Sequence, residues 1–305
     1  MTKDFEQITW DESLQAEWQR ILRLAVDEDL GKSGDWTTRA LVPGDDEAKA
    51  RILARQPGTI AGLPAVDPAL KEIEPRLRWL PETEDGQLLE HGDCAGQIEG
   101  PARGILVAER LVLNLLGRLS GIATLTRQYV DAVAGAKARV YDTRKTTPGW
   151  RRLEKYAVRC GGGHNHRTGL FDAVLIKDNH LALGKTRDGS ARYTPAEAVR
   201  RARCFARENG RETMIIEVEV DALDQLDDVL PAGPDIVLLD NMSPAMLREA
   251  VARRDASNPA IELEASGGIN LKTVGSVAHT GIDRISVGAL THSAVCLDLG
   301  LDWGA

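Results

Sequence analysis

The chain has 305 residues, with 38 Lys and Arg against 46 Asp and Glu and a formal charge of −8. With 43% hydrophobic and 28% charged residues it is an ordinary globular composition, long enough to bury roughly three-quarters of its unfolded surface. Disordered, collagen-like and disulfide-stapled classes are thereby excluded, and the acidic balance argues against a protein that coats nucleic acid or an anionic membrane.

The N-terminal stretch begins with a helix. Leu14, Trp18, Ile21, Leu22 and Ala25 recur at helical spacing over residues 12–30, and Gly31 ends the pattern. Short β-type pieces at Ala50 to Ala54, Thr59 to Ala61 and Arg76 to Leu80 follow, separated by Pro- and Gly-bearing turns, with further glycines from Gly92 to Gly104. A helical period then runs from Ile105 to Val133, with a break expected at Ser120-Gly121. From residue 137 onward strand and helix alternate. Six apolar strands are predicted, at Ala138 to Asp142, Ala173 to Lys177, Met214 to Val220, Ile236 to Asp240, Ile261 to Ala265 and Arg284 to Val287. Two intervening helices carry start signals, the capping box Thr194-Pro-Ala-Glu197 and Ser243-Pro244.

This alternation predicts a parallel α/β architecture. Polar residues recur where strands end: Arg144 and Lys145, Lys177, Glu219, Asp240, Ser266-Gly267-Gly268, and Ser286 with Gly288. In a barrel those ends share one mouth, whereas a doubly wound open sheet, the alternative, scatters them along an edge. A full eight-stranded barrel takes about 250 residues, so a barrel with fewer strands is expected.

Four cysteines, Cys94, Cys160, Cys204 and Cys296, lie far apart with no Cys-x-x-Cys pair, which fits a reducing compartment. The N-terminus lacks a basic leader, and its apolar run around Ile21 to Val26 is too short to span a membrane, so a cytoplasmic protein is expected.

Between Arg139 and Arg167 eight basic residues face two acidic ones. Arg151, Arg152 and Lys155 fit a solvated helix face at least as well as a site, while Arg144, Lys145 and Arg167 sit at a strand end and a glycine loop. Guanidinium forks and a lysine beside such turns suit a small polyanion. In Gly161-Gly-Gly-His-Asn-His-Arg167 the two histidines make a poor metal pair beside an arginine, and one of them reads as a carboxylate donor. Lys177 reads either as a carboxylate partner or as a Schiff-base nucleophile. Glu219 and Asp240 suit a Mg²⁺ shared with substrate oxygens, and the two late glycine turns suit a phosphate.

These stretches together resemble the quinolinate phosphoribosyltransferase family, also called nicotinate-nucleotide pyrophosphorylase (carboxylating). The resemblance lies in Asp35-Trp-Thr-Thr38, Glu109-Arg110, Leu119-Ser-Gly-Ile-Ala-Thr124, Asp142-Thr-Arg-Lys-Thr-Thr-Pro-Gly-Trp-Arg151 and Lys155-Tyr-Ala-Val-Arg-Cys-Gly-Gly-Gly-His-Asn-His-Arg167. It continues in Leu175-Ile-Lys-Asp-Asn-His180, Glu217-Val-Glu-Val220, Leu239-Asp-Asn-Met242 and Glu264-Ala-Ser-Gly-Gly-Ile269. It implies an N-terminal α/β sandwich-like domain over residues 1–120, on which the segment 290–305 can pack. Residues 121–289 would form an incomplete TIM-like α/β barrel with the active site at the C-terminal ends of its strands.

The implied enzyme is a pentosyltransferase of NAD biosynthesis that moves phosphoribosyl from phosphoribosyl pyrophosphate to quinolinate with decarboxylation. On that pattern Arg144, His166, Arg167 and Lys177 bind the two carboxylates, and Arg110 reaches in from the second subunit of a homodimer, which can assemble further. Lys145, Glu219 and Asp240 address phosphoribosyl pyrophosphate and its Mg²⁺, directly or through water. Ser266, Gly267, Gly268, Ser286 and Gly288 hold the 5′-phosphate. The stretch from Leu181 to Tyr193 is longer than the family pattern. The rivals are a relative on the same scaffold (molybdenum-transport-associated or nicotinate-using), a Schiff-base aldolase using Lys177, and a nucleic-acid-binding module; the scarcity of aromatics opposes the last.

Overall fold

The computed structural model describes residues 4–186, 189 and 191–303, and its contacts divide the chain into two compact units. One comprises Ile8–Arg127, Lys145–Gly163 and the chain from Leu290 onward; the other comprises Gln128–Arg144 and His164–Ala289 with the described N-terminal residues up to Gln7. A single cut at residue 120 therefore does not separate them. The chain passes between the units several times.

In the first unit, helix α1 (Glu12–Leu30) starts where the Asp11 carboxylate accepts the Leu14 N–H, and it buries Leu14, Trp18 and Leu22. Asp35 caps the short α2 (Trp36–Leu41) in the same way. Then come β1 (Glu47–Ala54), β2 (Gly58–Thr59), α3 (Val66–Ile73), β3 (Arg78–Pro81), β4 (Leu88–Leu89), β5 (Cys94–Pro101) and the 31-residue α4 (Ala102–Ala132). Strand β5 was hidden in the glycine-rich stretch. It pairs antiparallel with β1 and β3, and the C-terminal strand Leu299–Trp303 flanks β1 on its other side. Helix α4 is not broken at Ser120-Gly121. A Cβ at Gly121 would lie 2.0 Å from the Val295 carbonyl oxygen, so the glycine allows a close backbone approach rather than a turn. The excursion Lys145–Gly163 carries α5 (Arg151–Cys160).

The second unit holds β6 (Arg139–Tyr141), β7 (Ala173–Ile176), α6 (Asp178–Leu183), α7 (Pro195–Glu208), β8 (Ile215–Val220), α8 (Leu223–Val229), β9 (Ile236–Asp240), α9 (Pro244–Ser257), β10 (Glu262–Ser266), α10 (Val274–Ala278) and β11 (Arg284–Ser286). All six strands are parallel, in the order β6-β11-β10-β9-β8-β7. That order is circular: β7 to β11 are neighbours in sequence, and β6 closes on β11. A doubly wound sheet would reverse direction at a switch point, so this is a barrel left open along one seam, between β6 and β7. The seam is bridged at one position, where His164 donates its N–H to Val140 O (2.8 Å) and accepts from the Asp142 N–H (3.0 Å). Of the longer stretch 181–193, residues 187, 188 and 190 lie outside the described residues; around them Lys185 bridges Arg192.

The N-terminal segment closes the barrel at the ends where the strands begin. Phe5 is buried among Tyr141, Ala173, Ile215 and Ile236. Beside it the Asp4 carboxylate pairs with Arg284 and Arg139, each at 3.0 Å, and accepts the Tyr141 hydroxyl at 3.1 Å. Burial pushes the Asp4 carboxyl up, but Arg284, the Phe5 N–H and Arg139 outweigh it and hold it below its ordinary 3.8. A depressed carboxyl contributes stability above its unfolded pKa and loses it as pH falls through the folded value. We therefore expect Phe5→Ala to cost about 3 kcal/mol in urea unfolding at neutral pH. Asp4→Asn should destabilise at pH 7 and lose this difference from wild type as pH falls below the ordinary 3.8 and through the lowered folded value; an Asp4→Asn penalty that persists in acid would contradict the assignment.

Candidate active site

Strand alternation sorts the barrel-facing side chains by depth. On β8, Glu217 and Glu219 share a face one layer apart, and on β10 Glu262, Glu264 and Ser266 do the same. The register aligns Ser266 with Asp240 and places both Glu219 and Glu264 opposite Leu238. Asp240 and Ser266 thus close their strands, Glu217 lies one layer below Glu219, and Glu217 and Glu264 are fully buried whereas Glu219 is partly exposed. Lys177 directly follows β7, and its ammonium contacts the Glu219 carboxylate. The Lys177 side chain is 41% exposed and that of Glu219 15%, so the pair stands at the mouth. An exposed ammonium on a carboxylate is the reverse of the desolvated apolar setting that makes a Schiff-base lysine nucleophilic.

Asp240 accepts the side-chain amide of Asn241 at 2.8 Å. Asn241 has φ 54, a left-handed conformation, and its N–H donates to Ser266 O at 2.9 Å. Gly267 (φ 92) fits against it: a Cβ there would come within 2.2 Å of the Asn241 side-chain oxygen. The ends of β9 and β10 are therefore interlocked, which fixes the Asp240 carboxylate beside the exposed Gly267-Gly268 turn. Ser286 is buried, with its hydroxyl 3.5 Å from Ala265 O, and Gly288 follows it half-buried.

The cationic residues are set by the seam. Asp142 at the end of β6 accepts the Asn165 side-chain amide (2.7 Å) and the His166 N–H (2.8 Å). Gln7 exchanges two hydrogen bonds with the Asn165 backbone. The loop 164–167 is thereby fixed from both sides. The His166 ring lies 4.3 Å from that of Phe5; its Nδ1 accepts the Arg167 N–H (2.9 Å) and its Nε2 faces Glu217 (3.1 Å). Both ring nitrogens thus meet protein groups, and His166 supports Arg167 from below. Arg167 is buried and donates to Ala173 O. Burial lowers its pKa, Glu217 and Asp172 oppose this, and Arg144 lowers it further; the guanidinium stays protonated. Arg144 and Arg167 are therefore close enough to repel, a placement that an anion between them would relieve.

Arg110 on α4 and Lys145 belong to the other unit, both exposed. The Lys145 loop is anchored there. Thr291 donates its hydroxyl to Lys145 O (2.7 Å), Thr147 donates its N–H and hydroxyl to the fully buried Glu154 (3.1 and 2.8 Å), and Arg118 pairs with Glu154 at 2.6 Å. The remaining members of the basic segment are engaged structurally: Arg139 with Asp4 and Glu262, Arg151 with the Thr146 hydroxyl, Arg152 with Glu17, and Arg159 with Gly163 O, so Arg151 and Arg152 are not a merely solvated helix face. Lys155 is wholly buried. Asn165 and Glu264 carry no signal of their own in the sequence, whereas Glu217 and Asn241 stand among the polar residues of the third and fourth barrel strands; what the sequence lacks is their supporting role.

Residues 35–120 match the family model described as quinolinate phosphoribosyl transferase, N-terminal domain, and residues 122–302 match its C-terminal domain. A nicotinate-nucleotide pyrophosphorylase (carboxylating) of Mycobacterium leprae is 45% identical over 283 residues, covering 92% of this chain and 95% of the relative. A probable enzyme of the same name from Bacillus subtilis is 39% identical, covering 90% and 89%. Among solved structures, that of the Francisella tularensis nicotinate-nucleotide pyrophosphorylase superposes with a TM-score of 0.89 at 34% identity, covering 99% of this chain and all of the other. A human nicotinic acid phosphoribosyltransferase, 14% identical with a TM-score of 0.58, shares the fold alone. With both domain models matched and the seam, the paired guanidiniums and the Lys177–Glu219 pair in place, the chain belongs to the quinolinate phosphoribosyltransferase family.

Proposed function

We propose that the barrel mouth transfers the phosphoribosyl group of phosphoribosyl pyrophosphate to the ring nitrogen of quinolinate, with loss of the 2-carboxylate as CO₂, yielding nicotinate mononucleotide and pyrophosphate for NAD biosynthesis. The observation that carries this reading is the placement of Arg144 and Arg167: two guanidiniums near enough to repel, one of them buried. A planar dicarboxylate offers two anionic forks, each matched to a guanidinium. Lys177 can meet a carboxylate from the opposite strand end by leaving Glu219. A nicotinate-using relative would bring one carboxylate to the same cations and leave charge unpaired.

The chemistry needs placement more than a protein nucleophile. The pyridine nitrogen is itself nucleophilic, and the clamp on the two carboxylates aims it at ribose C1, converting an encounter into an oriented approach. As the bond from C1 to pyrophosphate breaks, positive character grows on the sugar and negative charge on the leaving group. Glu219 and Asp240 at neighbouring strand ends oppose the first, and Lys145 the second. Once the nitrogen is alkylated, the ring cation stabilises the carbanion left when CO₂ departs, and protonation at that carbon completes the product.

Glu219 and Asp240 offer hard oxygen donors that fit Mg²⁺. Mg²⁺ takes few protein carboxylates and fills its shell with water and substrate oxygens, so these two side chains would be enough to hold it. Bound there, it would offset pyrophosphate charge. The turns at Ser266-Gly267-Gly268 and Ser286 to Gly288 would receive the 5′-phosphate. Arg110, exposed on α4, would complete the site of a second subunit in a homodimer. No helix among the described residues is long and apolar enough to cross a membrane, and we place the activity in the cytoplasm.

Purified protein supplied with quinolinate, phosphoribosyl pyrophosphate and Mg²⁺ should release CO₂ and pyrophosphate in equal amounts; neither product would form if the reading were wrong. Arg144→Ala and Lys177→Ala should each lower kcat/KM for quinolinate at least a hundredfold, about 2.7 kcal/mol, with an unchanged circular dichroism spectrum. Gly267→Ala should push on Asn241 and raise KM for phosphoribosyl pyrophosphate about tenfold or more. Gly210→Ala, also at positive φ (67) but with open space around its Cβ position, should change stability alone. Equal kinetic effects of the two glycine variants would separate Gly267 from the phosphate turn.

A further inference from the structure

Beneath the mouth three titratable groups converge that the proposed chemistry does not use in any bond-making step: His166 before β7, Glu217 on β8 and Glu264 on β10. Both glutamates are fully buried, and none of their four carboxylate oxygens lies in hydrogen-bonding geometry with a donor. His166 Nε2 lies 3.1 Å from Glu217 and 3.5 Å from Glu264, and the Ser286 hydroxyl also reaches toward Glu264. Two adjacent ionised carboxylates left in this state would carry a heavy desolvation cost and repel each other. Either a cation or a proton must offset it.

The imidazole tautomer decides between them. Because the Arg167 N–H donates to Nδ1, Nδ1 presents its lone pair and the ring hydrogen sits on Nε2, near the two carboxylates but out of line for a hydrogen bond to either. A metal ion among the three groups would require the Nε2 lone pair, and hence a hydrogen on Nδ1 pointing at the Arg167 N–H. The trio therefore accommodates a proton and not a metal.

We propose that Glu264 is held as a neutral carboxylic acid on the acid side of neutrality, so that it places no charge beneath Arg144 and Arg167 and the clamp keeps the net positive charge a dicarboxylate needs. The groups facing Glu264 agree with this. Glu217 faces it from β8, Leu238 is its neighbour on β9, Arg284 and Ser286 face it from β11, and His166 from the loop. Arg284 is committed to Glu262 and Asp4. Burial, reinforced by Glu217, pushes the Glu264 carboxyl up to about 7, with the imidazole, Arg284 and the Ser286 hydroxyl pulling the other way.

A carboxyl raised in the folded state contributes fully below its ordinary value of 4.5, and that contribution is lost as pH rises to about 7. Its ionisation above neutrality also cancels part of the clamp's charge. Glu264 is thus a positioning residue that sets substrate affinity through the arginines, an inference that rests on the clamp assignment.

The test combines infrared spectroscopy and kinetics on the full-length protein. At pH 6 the wild type should show a buried carboxylic acid C=O stretch that shifts in D₂O, a measurement that needs no variant, and Glu264→Gln should lack it. KM for quinolinate should rise several-fold between pH 6.5 and 8.5 in the wild type and stay flat in Glu264→Gln, whose side chain is neutral throughout; kcat should change little. Absence of the acid band overturns the proposal, as does the same pH slope of KM in both proteins. So does a stoichiometric bound metal in the purified wild type that Glu264→Gln lacks. Failure of the clamp assignment has a separate signature: Arg167→Ala would leave KM for quinolinate unaltered while the infrared band persisted.

Discussion

Where a parallel barrel leaves two strands unpaired, the exposed N–H and C=O groups along that seam need other partners. Here the connection from β6 to β7 leaves the unit that holds the barrel strands. It is the excursion Lys145–Gly163, which belongs to the other compact unit. The returning chain meets β6 at a single bridge through His164, and everything after it depends on how that return is held. Asp142 supplies the hold by gripping Asn165 and the His166 N–H, and Gln7 grips Asn165 from the N-terminal segment. The seam is also where function gathers. Arg144 leaves β6 there and Arg167 arrives there, so the device that substitutes for strand pairing also sets the spacing of the two guanidiniums.

The barrel interior is unusually polar for a core, and its charges are arranged by depth. At the closed end Asp4, Arg139, Glu262 and Arg284 pair under Tyr141 and Phe5. In the middle Glu217, His166 and Glu264 face one another with too few donors. At the mouth Lys177 meets Glu219, and Asp240 waits beside the Gly267 turn. Buried pairs of this kind add little net stability over apolar packing and lose much when one partner is removed. Their value here lies in holding a specific charge pattern beneath a site for anionic substrates. The bottom layer fixes the N-terminal segment, which fixes Asn165, which fixes the clamp loop.

Much of this was legible in the sequence. The six barrel strands were placed to within a residue or two because buried parallel strands are short apolar runs between helices with strong caps, such as Thr194 to Glu197. The polar residues closing those runs could be assembled into one mouth because a barrel maps strand ends onto a shared rim. β5 escaped because glycines interrupt its alternation, and Ser120-Gly121 was taken for a break because a glycine's helix cost is visible in sequence while its packing reason, the Val295 carbonyl, lies far along the chain.

The sequence by itself determined the alternation of strands and helices, the residues at each strand end and the family. Those properties are local, carried by periodicity, capping and contiguous motifs. Only the tertiary structure decided which member of the −8 chain's basic segment meets which partner, sending Arg139 to Asp4 and Arg152 to Glu17 while leaving Arg144 beside Arg167. It alone brought Glu217 and Glu264 to one imidazole and fixed the tautomer between them. Such pairings join residues tens to hundreds of positions apart, and their protonation follows from burial and mutual distance, which no linear pattern encodes.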